Sequence, residues 1–183
     1  MKDLNEVIKQ CKAKDPAGFE FLYKTYYRVL YGIAMRYSKN TAEAEDILQD
    51  SFIKVFNSIQ TYQSEGSFEG WLKRIVQYTA INSYRSRLKF NLHIEMPDSD
   101  SLSDDSLGAI FETMEAKEIV ALLNSMPEGY RVILNLYCID GYTHKQIAEM
   151  IKITEGTSKS QLFKAKKYLK NLLDAQSKQR IAG

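Results

Sequence analysis

The sequence predicts an all-α fold of two small helical domains joined by a flexible acidic linker. Three observations predict it. Every periodic apolar segment has helical spacing, and none sustains a period of two. Only three prolines and nine glycines occur in 183 residues, few for a chain built of strands and turns. Charge also falls in three blocks: net +3 over residues 1–87, −5 over 88–114 and +4 over 115–183. The composition, 44% apolar and 26% charged, is globular.

The elements follow in order. Leu4, Val7, Ile8 and Cys11 are spaced i, i+3, i+4, i+7. Asp15-Pro16 reads as an N-cap followed by proline at the first helical position. From there Phe19, Leu22, Tyr23, Tyr26, Leu30, Ile33, Ala34 and Tyr37 run down one side. Thr41 is expected to cap the third helix, with Glu43 and Glu45 in its electropositive first turn. Its inner stripe is Ile47, Leu48, Ser51, Phe52, Val55, Phe56 and Ile59. Ser67 caps a fourth helix with Trp71, Leu72, Ile75, Val76, Thr79 and Ala80 inside.

The stretch PDSDSLSDDS buries too little apolar surface to offset chain ordering, so residues 88–114 read as a linker between domains 1–87 and 115–183. Beyond it, Ile119, Val120, Leu122, Leu123 and Met126 form an amphipathic helix. Pro127 opens the next, with Val132, Ile133, Leu136 and Tyr137 inside, and Asp140-Gly141 stops it. Thr143 and Gln146 fit a capping box. Thr154 caps a last long helix from Glu155 to about Leu173, and the terminal SKQRIAG is expected to fray.

Several classes are excluded. The longest stretches without a charge, Val55 to Ser64 and Ile75 to Tyr84, have ten residues, against about 18 for a membrane span. The start, MKDLNEVIKQCKAKD, lacks the apolar core of a signal peptide, so a cytoplasmic location is expected and direct membrane insertion is not. Cys11 and Cys138 make no disulfide framework and read as small core residues. His93 and His144 form no cluster at metal-ligand spacing. Without a Ser/His/Asp set or a phosphate-binding glycine loop, neither catalysis nor a cofactor is expected.

Three surfaces carry chemistry. Residues 143–169 read helix, tight turn, helix, the geometry whose second helix enters a major groove. On that helix Lys159, Ser160, Phe163, Lys164 and Lys167 share the outward face, opposite Ser158, Leu162, Ala165, Leu169 and Leu172. A solvated lysine face is the plainer reading, but an aromatic among lysines is poorly placed in water. His144 is a polar first-turn residue close enough to the DNA side to touch a phosphate. The helix with Trp71 is read as exposing Lys73, Arg74, Gln77, Tyr78, Ile81, Asn82, Tyr84, Arg85 and Arg87, a basic and aromatic mixture that suits single-stranded DNA or a plain surface with structural tyrosines. On AEAEDILQDSFIKVF, Asp46, Gln49, Asp50 and Ile53 lie opposite the core stripe, either a solvated acidic face or a docking face for a basic helix.

The order of these pieces resembles the extracytoplasmic-function sigma factors of bacterial RNA polymerase, within the sigma-70 family. AEDILQDSFIKVF resembles that family's polymerase-docking helix, GSFEGWLKRIV and the helix it opens resemble the promoter-melting and −10-reading segment, and MPEGYRVILNLYCIDGYTHKQIAEMIKITEGTSKSQLFKAKKYL resembles the −35-reading helix-turn-helix. The resemblance implies that Asp46, Gln49, Asp50 and Ile53 dock on clamp helices of the largest polymerase subunit. It implies that the loop Thr61 to Gly66 and the start of the next helix hold a flipped −10 base. Asn82 and Arg85 match polar −10 positions, in the segment that also carries Trp71, Lys73, Arg74 and Tyr78. Lys159, Ser160, Phe163 and Lys164, with Lys167 beside them, match the −35 contacts. The linker would thread the RNA path. The implied partners are core polymerase, through its largest and second-largest subunits, promoter DNA as duplex and single strand, and an anti-sigma factor, often membrane-anchored. The sequence departs from the family at Tyr78, where asparagine is common, at Ser158, where valine is usual, and at Gln161, where arginine is frequent. A one-component helix-turn-helix regulator with an amino-terminal ligand-sensing domain is the competing reading. The acidic-apolar row and the tyrosine-basic helix favour the first.

Overall fold

Helix boundaries in this chain are set by side chains that can satisfy the free amides of a first turn. A computed structural model of the protein describes residues 3–63, 66–88 and 114–182. The acidic linker therefore lies outside the described residues, apart from its ends. Helix α1 is Leu4–Lys12, with Asp3 as cap. Helix α2 is Pro16–Tyr37, and Asp15 Oδ1 accepts from the Ala17 amide at 2.9 Å. Helix α3 is Thr41–Ser58 and runs into a 3₁₀ turn, Ile59–Thr61. Its cap is Asn40, not Thr41. Asn40 is extended, its Oδ1 accepts from the Glu43 amide at 2.9 Å, and Glu43 Oε2 accepts from the Lys39 amide at 2.7 Å, which leaves Thr41 as the first helical residue. Helix α4 is Phe68–Leu88, capped by Ser67, whose Oγ accepts from the Gly70 amide.

The chain divides into two compact units, Met1–Tyr84 and Arg85–Gly183. In the first, Val7 and Cys11 of α1, Leu22, Leu30 and Ala34 of α2, Ala44 and Val55 of α3, and Leu72 and Val76 of α4 are wholly buried. Burial, with Asp15 nearby, pushes the Cys11 thiol up to about 11, so at neutral pH it is a protonated core side chain. Helices α1 and α2 approach closely at Gly18, where a Cβ would fall 2.8 Å from Gln10 Cβ and 3.0 Å from the Cys11 amide nitrogen.

The predicted inner stripes need three corrections here. Tyr23 is exposed, its ring lying at the rim of the α2–α3 contact between Tyr27 and Phe52. Ile81 and Tyr84, read as outward, are buried, because α4 is covered on more than one side around Thr79, Ala80 and Ile81. Trp71 and Ile75, read as inward, are half-exposed.

In the second unit, α5 is Ala116–Asn124 and α6 is Glu128–Leu134. A π-helical turn, Asn135–Ile139, continues α6 and was not legible from spacing. The chain then turns at Gly141, whose φ of +75° favours glycine. Helix α7 is His144–Ile151, with the Thr143–Gln146 capping box formed. Helix α8, Glu155–Ala182, is capped by Thr154 and outruns its predicted end near Leu173, because no glycine or proline lies between Leu173 and Gly183. Leu123, Leu134, Leu136, Ile147, Ala165 and Leu169 are its unit's fully buried core, while Tyr137 stays part-exposed and Cys138 half-buried.

Gly18→Ala is expected to lower unfolding stability by about 1–3 kcal/mol through overpacking. Gly32→Ala, in the same helix but with open space around its Cβ, should raise it by up to about 1 kcal/mol. Paired urea titrations check both.

Candidate nucleic-acid interfaces and docking face

The α3 stripe that packs inward dictates what faces out. Ile47, Leu48, Ser51, Phe52 and Val55 are buried, which leaves Asp46, Gln49, Asp50 and Ile53 exposed in one row. Ile53 is 56% exposed, the most exposed large apolar side chain among the described residues. All four predicted docking residues are thus brought onto one solvent-facing surface.

The second surface is a groove of about 270 Å³ on α4 and α3. It is lined by Trp71, Arg74, Ile75, Tyr78, Thr79 and Asn82 of α4 and by Lys54 of α3. Trp71 is held by an aromatic cluster, its ring 5.5 Å from Phe68 and 5.3 Å from Tyr62. Tyr78 is 43% exposed, so its ring is open to a stacking partner. Of the residues predicted here, Trp71, Arg74, Tyr78 and Asn82 come together. Lys73 stays outside the groove and pairs with Glu69 at 2.6 Å, and Arg85 lies one turn beyond Asn82. The predicted base-holding loop is described only in part, since residues 64–65 lie outside the described residues.

Lys54 was not foreseen in this groove. Its Nζ donates to Thr79 Oγ1 at 3.1 Å, and that hydroxyl donates to the Ile75 carbonyl at 2.8 Å. The only sequence signal was its place beside Ile53 on the outward face of α3.

The third surface is the helix-turn-helix. Helix α7 ends at Lys152 in the left-handed conformation, φ +61°, which redirects the chain into the Thr154 cap of α8. Lys159 and Lys167 are exposed, whereas Ser160, Phe163 and Lys164 are half-buried. Phe163 therefore rests partly on the protein rather than standing alone among lysines. Lys159 Nζ pairs with Glu155 at 2.9 Å, and the hydrogen bond from Lys159 holds the Glu155 carboxyl below its ordinary value.

Between the two helices lies a contact that sequence reading missed. His144 Nδ1 and the fully buried Ser158 Oγ are 2.9 Å apart, and the imidazole stacks on Tyr137 with centroids 4.6 Å apart. Burial, then Lys159 and also Lys166, push the His144 pKa below its ordinary value, against an opposing pull from Glu155. A serine in an otherwise apolar inner stripe was the available signal.

An exposed acidic-apolar row, a cationic aromatic groove and a helix-turn-helix thus stand on one helical chain. Residues 22–89 match the family model for sigma-70 region 2, and residues 116–169 match that for sigma-70 region 4. The chain is 31% identical over 147 residues to the ECF RNA polymerase sigma factor SigE of Mycolicibacterium smegmatis, covering 79% of this chain and 57% of that one. It is 25% identical over 181 residues to the ECF RNA polymerase sigma-E factor of Haemophilus influenzae, covering 90% of this chain and 92% of the other. In fold it is similar to the sigma factor RpoE from Bartonella quintana, solved in complex with the anti-sigma factor NepR, with a TM-score of 0.51, 20% identity, and 85% of this chain and 96% of that one covered. The chain belongs to the sigma-70 family, in its extracytoplasmic-function group of RNA polymerase sigma factors.

Because Asp50 and Ile53 are solvent-exposed, Asp50→Arg and Ile53→Asp are expected to change folding stability by no more than about 0.5 kcal/mol. Thermal melts followed by circular dichroism check this.

Proposed function

We propose that this chain directs core RNA polymerase to promoters by reading −35 duplex with α8, engaging the −10 strand at the α4 groove, and docking on the enzyme through α3. What supports this above all is the separation of tasks on one chain. The α3 row is acidic and apolar, which suits a basic protein helix and repels DNA, while the other two surfaces are cationic and suit it. The protein acts by binding and strand capture, with no turnover of its own.

Each step follows from the groups present. Asp46 and Asp50 steer toward basic clamp helices of the largest polymerase subunit, and Ile53 supplies apolar contact where water is expelled. Arg74 and Lys54 draw the phosphate backbone to the groove, and Tyr78 and Trp71 offer rings to unstacked bases, with Asn82 and Arg85 as polar readers. Lys73 adds positive charge at the helix edge. On α8, Lys159, Lys164 and Lys167 neutralise phosphates or meet guanine edges, with Ser160 and Phe163 between them. The acidic linker of residues 88–114, which would thread the RNA path, lies outside the described residues apart from its ends, and the second-largest subunit is a further partner in this reading. Domain limits of 1–87 and 115–183 fit this division of labour. The same reading has the protein act on DNA in the cytoplasm under an anti-sigma factor; among the described residues no helix is long and apolar enough to cross a membrane. A one-component regulator would instead require an enclosed ligand pocket in the first unit, whereas the groove there is open and edged by Lys54 and Arg74.

Three outcomes test this. In pull-down with core polymerase, the wild type should be retained, and Asp50→Arg or Ile53→Asp should each weaken capture by at least about 2 kcal/mol, the scale of an interface hot spot. Unchanged capture by both would remove the docking assignment. Tyr78→Ala should weaken binding to a single-stranded −10 oligonucleotide by about 1–3 kcal/mol and spare −35 duplex; quenching of the sole tryptophan, Trp71, by the bound strand reads this out. In salt titrations on −35 duplex, a lysine on phosphate should shift the slope by about one when replaced by alanine, whereas one on a guanine edge should cost about 1–3 kcal/mol at a single base pair. Lys164 is expected to be the sequence-sensitive one and Lys159 the phosphate one.

A further inference from the structure

His144 sits at the junction of the two helices of the DNA-reading motif, and three contacts define its state. Its Nδ1 meets the buried Ser158 hydroxyl, its ring face rests on Tyr137, and its edge lines an open groove of about 500 Å³ with Gly141, Thr143, Lys145 and Glu155. Nε2 has no partner among the described residues. When the Ser158 hydroxyl donates to Nδ1, the neutral ring carries its proton on Nε2; when the ring is protonated, Nδ1–H donates to the serine oxygen instead and Nε2–H is kept.

We propose that His144 is a proton-linked contact to the DNA backbone, its Nε2–H donating to a phosphodiester oxygen and its protonated form making an ion pair there. This rests on the −35 reading of α8 argued above. The groove is a suitable place for a phosphate. Lys145 lies beside His144 on α7, and Lys159 and Lys166 face it from α8; among the described residues that line the groove only Glu155 opposes an anion, and Glu155 is paired with Lys159. Tyr137 and Tyr142, on the preceding segment, are the remaining titratable groups at the site. Carboxylic acids titrate near about 4 and lysine and tyrosine near about 10, so a histidine is the side chain in such a set that changes charge between about pH 5.5 and about pH 8.

The sign follows from linkage. In the free protein, burial and the two lysines keep His144 neutral to lower pH than usual. A phosphate at Nε2 favours the charged ring, so its pKa rises on binding. DNA binding then takes up a proton, and affinity increases as pH falls through the bound-state pKa.

The experiment uses the full chain and a −35 duplex selected on it from random sequence, with affinity measured against salt at about pH 5.5 and about pH 8. For the wild type, affinity should rise at low pH and the salt slope should steepen by about 0.9, the contribution of one further neutralised phosphate. His144→Gln, which donates a hydrogen bond but cannot charge, should show neither change and bind about three- to tenfold more weakly at low pH. A wild-type slope that is the same at both pH values overturns the proposal with no variant needed, as does an equal pH response in His144→Gln. If the wild type binds duplex and Lys164→Ala weakens it while the pH response is absent, this inference alone fails. Should the wild type select no duplex at all, the −35 reading fails with it.

Discussion

The packing of α3 against α2 sets what the first unit can offer a partner. Phe56 lies 4.4 Å from Phe19 and Phe52 4.8 Å from Tyr23, ring centroid to ring centroid, so the rotation of α3 about its axis is fixed by aromatic contacts at two successive turns. One residue of slip would turn the helix by about 100° and carry an aspartate toward the apolar interior. Burying an unpaired carboxylate costs several kcal/mol, far more than a rotated stripe could recover. The exposed acidic-apolar row and the core stripe are therefore two consequences of one rotational choice, and the same choice puts Lys54 on the side that meets α4.

That placement joins two surfaces with different chemistry. Ile53 and Lys54 are sequence neighbours, yet Ile53 belongs to the acidic-apolar face while Lys54 bonds Thr79 and edges the groove beside Tyr78. A clamp helix bound to α3 and a strand bound in the groove would thus lie on adjoining faces of the same helix. Rigid support of the groove comes from the Tyr62, Phe68 and Trp71 cluster, in which Tyr62 and Phe68 are buried and only Trp71 reaches the opening.

In the second unit the corresponding constraint is the turn between α7 and α8. Lys152 takes a left-handed conformation that a lysine adopts at some cost, and the Ile153 amide bonds back to the Ala148 carbonyl at 3.1 Å. Thr154 then caps α8 directly. With so short a connection, the angle between the helices is held by what lies inside it. Here that includes a polar contact, Ser158 to His144, in an otherwise apolar inner stripe. A buried hydroxyl requires a partner, and the imidazole provides it.

The sequence alone determined that this is a helical protein in two parts, where nearly every helix starts, and which residues form the exposed acidic-apolar row of α3. Those properties depend on local chemistry: capping side chains act within three residues, and an apolar stripe fixes each residue's angle about its own axis. The family resemblance then supplied roles that spacing cannot. Tertiary structure decided the rest. An angle about an axis does not say how many neighbours cover a helix, so Ile81 and Tyr84 read as exposed and are buried, while Trp71 and Ile75 read as core and line a groove. Nor does it foresee contacts between helices. Lys54 reaches Thr79 across 25 residues and His144 reaches Ser158 across 14, and both pairs exist only because packing brings two helices to the same place.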